Sequence, residues 1–300
     1  MNVSGFTSIR ETQSLRPETK IFHSQQPADR FEQGPAIDPN LPDLSGFARL
    51  GRNFVAVTDA KPGSDKPRMG QIDAETGAFK ALSSDWGEHR PARDLEAITP
   101  LSGQPGEALA VEGSTFGELK NRLFHLRVGE EGSSVKQAFT LPEFSQEIEG
   151  LVEMPLDKQR HLVVLGGRGG DKGESGRLYW GILDREEGTL DFPDKGREGV
   201  AVQAPNLGPG QRDISELQLR PDGSLWASAC VDEGDEGPFK SSIYKLGTLK
   251  PDAESPFESA SNPKSTTIPG TKIEGFAQLG KGWLTGADNE SLGGQVGILA

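Results

Sequence analysis

The sequence predicts an all-β protein, a five-bladed β-propeller over residues 41–300, and three observations lead there. A five-residue pattern recurs as Asp43-Leu44-Ser45-Gly46-Phe47, Asp94-Leu95-Glu96-Ala97-Ile98, Glu147-Ile148-Glu149-Gly150-Leu151, Asp213-Ile214-Ser215-Glu216-Leu217 and Lys272-Ile273-Glu274-Gly275-Phe276. Each copy reads charge, Leu or Ile, Ser or Glu, a small or acidic residue, then an apolar one. The third positions lie 51, 53, 66 and 59 residues apart, a period that suits propeller blades. Each copy also heads a series of short β-forming runs separated by turn residues. Finally, 39 glycines and 21 prolines in 300 residues fit many short strands joined by tight turns and stop short of a low-complexity composition.

The first copy opens strand Leu44–Leu50, turns at Gly51-Arg52 and returns as Asn53–Thr58. Met69–Asp73, the turn Ala74-Glu75-Thr76-Gly77 and Ala78–Leu82 complete four antiparallel strands, the content of one blade. The second copy gives Leu95–Leu101, Ala108–Glu112, Arg122–Val128 and Val135–Leu141. The third gives Ile148–Met154, His161–Leu165, Arg177–Asp184 and a weaker Thr189–Phe192. The fourth gives Ile214–Leu219, the turn Arg220-Pro221-Asp222-Gly223, Ser224–Cys230, Ser242–Leu246 and Ser265–Ile268. Residues 247–264 are expected to form an exposed insertion.

The fifth copy gives Ile273–Leu279, Gly282–Thr285 and Gln295–Leu299, one strand short of a blade. An open sheet edge is a liability, so the polar, Pro-rich segment 1–40 is expected to supply the missing outer strand. Its β-like pieces include Lys20-Ile21-Phe22-His23. The alternative is a six-bladed ring with a further blade in 1–40 or 247–264.

A formal charge of −13 argues against a nucleic-acid partner, which selects a basic face. The single cysteine, Cys230, excludes an intramolecular disulfide and a thiolate-built zinc site, and its apolar run predicts a buried, inert thiol. No stretch reaches the ~18 apolar residues of a membrane helix, and the first thirty residues lack the apolar core of a signal peptide. The expectation is a cytoplasmic monomer without membrane contact, or a periplasmic or secreted one if a leader has been removed. Gly166-Gly167-Arg168-Gly169-Gly170 lacks the Gly-Lys-Ser/Thr ending of a phosphate-binding loop, and no Gly-x-Ser-x-Gly elbow is present.

The first strand of a blade lines the propeller axis. If the five copies are related by rotation, Ser45, Glu96, Glu149, Ser215 and Glu274 share one environment there. Three converging carboxylates repel and protonate unless a cation sits among them. An all-oxygen donor set without histidine or cysteine suits Ca²⁺ and disfavours zinc or copper. How the third residue comes to face the axis requires a bulge that spacing alone does not supply.

A second register lies at the ends of the second strands, which carry Asp59, Glu112, Arg168, Asp232 and Asp288. The loops beyond them add Asp65, Glu118, Asp171, Glu174, Asp235 and Glu290. Loops leading into the first strands open on the same face and bring His89, Arg90, Arg93 and Arg212. Arg90, Arg93, Arg168 and Arg212 are therefore candidate ligands for a small phosphorylated or carboxylate anion. Asp59, Glu112, Asp232 and Asp288 are candidate general bases.

The order Ser, Glu, Glu, Ser, Glu, one per blade, resembles the calcium site of the calcium-activated nucleotidase (apyrase) family. Asp-Leu-Glu-Ala-Ile (94–98) and Lys-Ile-Glu-Gly-Phe (272–276) are similar to the recurrent strand of bacterial propellers described as esterase-like phytase domains. The resemblance implies calcium held by Ser45, Glu96, Glu149, Ser215 and Glu274, and a calcium-dependent phosphoester hydrolase. The residues themselves leave open a second reading, a non-catalytic propeller that binds a ligand or protein and in which calcium only pins the blades. A glycosidase is a third reading, requiring two suitably spaced carboxylates.

Overall fold

The computed structural model describes residues 31–33, 41–61, 63–113, 120–170, 173–251, 255–261 and 264–300. After β1 (Phe31–Gln33), blade one is β2 (Leu44–Leu50), β3 (Asn53–Thr58), β4 (Met69–Ile72) and β5 (Phe79–Ala81). Blade two is β7 (Leu95–Pro100), β8 (Glu107–Glu112), β9 (Arg122–Val128) and β10 (Gly132–Thr140), edged by β6 (Ser83–Asp85). Blade three is β11 (Ile148–Pro155), β12 (Arg160–Gly167), β13 (Arg177–Asp184) and β14 (Thr189–Asp191). A short helix α1 (Asp194–Glu198) follows, and β15 (Val200–Ala201) pairs the start of β13. Blade four is β16 (Gln211–Leu219), β17 (Ser224–Val231) and β18 (Lys240–Leu249), whose outer edge is shared by β19 (Phe257–Ser259) and β20 (Ser265–Pro269). Blade five is β21 (Ile273–Leu279), β22 (Gly282–Asp288) and β23 (Gly294–Leu299).

The inner strands β2, β7, β11, β16 and β21 pack side by side in that order, and β21 returns against β2 to close the ring. β1 pairs antiparallel with β23, Phe31 opposite Leu299 and Gln33 opposite Gly297. The last blade thereby gains its fourth strand, and an otherwise open edge is covered. Among the described residues no helix is long and apolar enough to cross a membrane.

Two details depart from the sequence-based expectation, and a third expectation is not tested. Ser83–Asp85 runs parallel to the start of β10 as an extra edge strand. Phe257–Ser259, inside the stretch expected as an insertion, pairs with the end of β18 because β18 is long enough to hold two outer partners. Lys20–His23 falls outside the described residues.

The core is five apolar layers, one between each pair of neighbouring blades. In every repeat the second and fifth residues enter the same layer. Leu44 and Phe47 lie between blades five and one, Leu95 and Ile98 between one and two. Ile148 and Leu151 lie between two and three, Ile214 and Leu217 between three and four, Ile273 and Phe276 between four and five. All ten are at most 1% exposed, and each such side chain contributes about 1.5–3 kcal/mol. Residues three apart on a regular strand face opposite sides, so something must break the alternation between them.

Candidate functional site

A β-bulge at the third residue of each repeat breaks it. Along β2, Leu44 pairs with Thr58 and Gly46 with Val57, leaving Ser45 without a partner. Glu96, Glu149 and Glu274 are passed over in the same way on β7, β11 and β21. On β16 the irregularity is wider, three residues including Ser215 standing between paired Arg212 and paired Glu216. A bulged residue is released from the ladder and its side chain re-aimed. One device thus returns the flanking apolar residues to a single face and frees Ser45, Glu96, Glu149, Ser215 and Glu274.

The five released residues are buried, Glu96 the most exposed at 9%. Burial pushes the Glu96 carboxyl well above the usual range, and neighbouring Glu149, Asp94, Asp59 and Glu274 push it further. Glu149 is pushed up to about 7 by burial, against the pull of Arg212 and Arg168. Burial also raises Glu274, opposed first by Lys272 and reinforced by Glu149. Glu149 and Glu274 thus act on the protonation of Glu96, and Glu149 on that of Glu274. Ser45 Oγ is buried without a hydrogen-bond partner among the described residues. Ser215 Oγ lies 3.1 Å from Cys230 Sγ, whose thiol burial pushes up to about 12.

Cations flank one side of this ring. Arg212 reaches Asp232 Oδ2 at 2.6 Å and Glu274 Oε1 at 3.5 Å. Arg168 reaches Glu147 at 2.7 Å and Glu149 at 3.9 Å. Lys272, 2% exposed, stands 3.1 Å from Glu274, 3.5 Å from Asp232 and 3.6 Å from Asp288, and pairs with Glu290. On the far side Lys61 bridges Asp59 and Asp94, 2.8 Å from the latter. Glu96, between these groups, makes no side-chain hydrogen bond or ion pair among the described residues.

The second register divides. Asp59, raised by burial and by Asp94 to about 8, and Asp288, raised by burial and by Glu274 to about 7, belong to the axial cluster. Asp232 belongs to it too; burial raises it, but Arg212 and Lys272 outweigh that and hold it low. Glu112 is fully buried, accepting the Arg93 N–H at 2.8 Å and Arg122 Nη2 at 2.7 Å. Arg93 is spent on this group and on Lys120 O and Asn121 Oδ1. Arg90 is exposed, and the charges that influence it are Arg122, Glu112 and Arg93. Glu112, Arg90 and Arg93 therefore form a separate cluster within blade two. Glu118 and Asp171 lie outside the described residues.

Two residues at the axis escaped the sequence reading. Lys272 fills the slot that is acidic in the other four repeats, and that exception was its signal. Glu216 fills a slot held elsewhere by Gly46, Ala97, Gly150 and Gly275. Its Oε2 accepts the Phe47 N–H at 3.2 Å, and Gln218 Nε2 donates to Phe47 O at 2.9 Å. Blades one and four are not neighbours, so these bonds cross the channel and narrow it beneath the ring.

Comparison with solved structures shows the propeller fold. A structure described with the GH130 family of mannoside phosphorylases, in work on glycoside hydrolases that target β-1,2-mannosidic linkages in Candida mannan, superposes with a TM-score of 0.54 at 9% identity, covering 92% of this chain and 95% of that one. A putative glycoside hydrolase from Parabacteroides distasonis gives 0.54 at 11% identity, covering 90% and 96%. A glycosyl hydrolase from Bacteroides ovatus gives 0.52 at 8% identity, covering 91% and 94%. At such identities the likeness is one of fold. No protein-family model and no curated protein matches the sequence.

Proposed function

We propose that the protein is a calcium-binding propeller whose axial mouth captures a small anionic ligand. The observation that carries this reading is Glu96, a buried carboxyl under the influence of nearby carboxyls that makes no hydrogen bond or ion pair among the described residues. A carboxyl in that position stays protonated or acquires a cation. Ser45 Oγ, buried without a hydrogen-bond partner among the described residues, adds a neutral oxygen, and the remaining ring donors are oxygens as well. That donor chemistry fits Ca²⁺. Among the described residues no three acidic, histidine or cysteine side chains are drawn together as a ready metal cluster, so the fit lies in donor kind and charge. Ser45, Glu96, Glu149, Ser215 and Glu274 would hold the ion, which would supply positive charge to a bound anion. Arg168, Arg212 and Lys272 supply the protein's own positive charge next to the carboxylates.

The test is a thermal melt of metal-stripped protein with millimolar Ca²⁺ beside Mg²⁺. Calcium is expected to raise the melting temperature specifically, about 2.7 kcal/mol of stabilisation at a hundredfold excess over the dissociation constant. Glu96→Gln is expected to abolish the rise. A rise that survives Glu96→Gln, or none at all, overturns the reading.

A second reading, a calcium-dependent phosphoester hydrolase, is favoured by Asp59 and Asp288, whose carboxyls are raised to about 8 and about 7. Groups that titrate near neutrality suit general acid–base work. Asp288 or Asp59 would move the proton and Arg212 or Arg168 would bind the phosphoryl oxygens. Turnover of a nucleoside diphosphate or phytate that stops on chelation and in Asp288→Asn supports it; turnover indifferent to chelation sinks it.

A further inference from the structure

Ser45, Glu96, Glu149 and Glu274 stand second in their inner strands and Ser215 stands midway along β16, and all five strands run on past them, so the five strands also share a second mouth. Arg49, Thr99, Glu153, Gln218 and Gln278 stand near their far ends, and with Arg220 they line a cavity of about 630 Å³. We infer that this far mouth is a second small-molecule site, one that takes an organic anion through Arg49 and Arg220.

The two arginines carry the argument. Arg220 lies over the Trp283 ring at 4.2 Å and the Trp226 ring at 4.8 Å. Its Nη2 donates to Lys281 O at 3.2 Å, while its buried Nε has no hydrogen-bond partner among the described residues. Arg49 Nε donates to Gly51 O at 3.2 Å. Among the described residues neither guanidinium is ion-paired, in a chain of net charge −13. At the other mouth, by contrast, Arg168 and Arg212 are held by Glu147 and Asp232. A guanidinium oriented by stacking and not yet paired gives up little entropy on meeting an anion, and its planar fork matches carboxylate or phosphate.

The rest of the wall suits the same ligand. Glu153, the acidic residue among those lining the cavity, is engaged with His161 and with the Ser102 N–H at 3.0 Å. Gln218 and Gln278 each donate one amide N–H, to Phe47 O and Gly280 O, which leaves a second amide N–H on each, their amide oxygens and the Thr99 hydroxyl for a ligand. The volume is that of a small-molecule pocket. Glu216 and Gln218, bonded across the axis to Phe47, separate this site from the axial carboxylates, so it stands whether or not calcium binds there.

Isothermal titration of the full chain with succinate and with phenyl phosphate tests it, alongside Arg49→Gln and Arg220→Gln. Saturable binding of at least one probe is expected, weakened about tenfold or more in each variant through loss of a charge-assisted contact. Binding of succinate alone assigns a carboxylate ligand, and binding of phenyl phosphate alone a phosphomonoester. Arg49 is exposed, so Arg49→Gln should keep the wild-type melting temperature even if Arg220→Gln does not. No saturable heat with either probe overturns the inference. So does unchanged affinity in a normally folded Arg49→Gln protein, because the anion then binds elsewhere.

Discussion

The Glu216 carboxyl on the fourth inner strand accepts the backbone N–H of Phe47 on the first, 3.2 Å away across the channel. Its other oxygen accepts the Leu217 N–H at 2.7 Å, and the Leu151 N–H adds a third bond. One side chain therefore ties three inner strands, two of which belong to blades that never touch as neighbours. Burial raises its pKa well above the usual range, opposed by these N–H groups.

Glu216→Gln is expected to lower stability by about 1–3 kcal/mol, because an amide offers one acceptor oxygen and turns its own N–H toward a backbone donor. Glu216→Ala should cost more, adding a cavity to the orphaned donors. Urea denaturation measures both. An unchanged midpoint for Glu216→Gln would mean the N–H groups find other acceptors.

Gly46 is expected to tolerate no side chain. A Cβ there would lie 2.7 Å from Ala97 Cα and 2.8 Å from Glu96 O, both backbone atoms of the next blade. Gly46→Ala should therefore destabilise by about 1–3 kcal/mol through forced separation of two inner strands. Gly51→Ala, where the added atom meets nothing but φ is +65°, should cost about 1 kcal/mol through backbone strain alone. Paired melts that rank the two equally would contradict this account.

Removing the Glu112 charge should cost stability before anything else. Its oxygens hold Arg122 at 2.7 and 3.1 Å and the Arg93 N–H at 2.8 Å, with no exposure. Glu112→Ala leaves the buried Arg93 and half-buried Arg122 guanidiniums without their carboxylate, a loss of about 3–5 kcal/mol. A Glu112→Ala protein that melts normally yet loses turnover would instead place this carboxylate in the chemistry.

Acidification should act on blade two through Glu107 and His125, which meet at 2.6 Å. Burial lowers the His125 pKa and outweighs the pull of Glu107. Burial raises Glu107, but the bonds from Lys136 and His125 outweigh it and hold the carboxyl low. Both groups thus have folded pKa values below their unfolded ones. The stability they contribute is present above the unfolded pKa and lost as pH falls through the folded one. Loss should begin below about pH 6.5 as unfolded histidine protonates and continue below about pH 4.5 as Glu107 does. His125→Gln, which keeps a donor for Glu107, should remove the first component from a plot of melting temperature against pH and leave the second.

The recurrence of five pentapeptides was enough to count the blades, because each copy marks the innermost strand of one sheet and the spacing between copies leaves room for its partners. The third-position residues were legible for the same reason, since rotation makes equivalent positions equivalent in environment. Which way those residues face was not legible. Side-chain direction depends on pairing register, and the bulges that reset it are made by the partner strand. Nor could the charge slots be sorted by sequence alone. Lys272 meets Asp288 and Glu290 of its own blade and Asp232 of blade four, whereas Glu112 and Arg93 pair inside blade two. Glu216 looked like one more polar residue until closure set Phe47 opposite it. Sequence determined the blades and their number; tertiary packing decided which polar groups meet, because contacts such as Glu216 with Phe47 join residues that no local pattern relates.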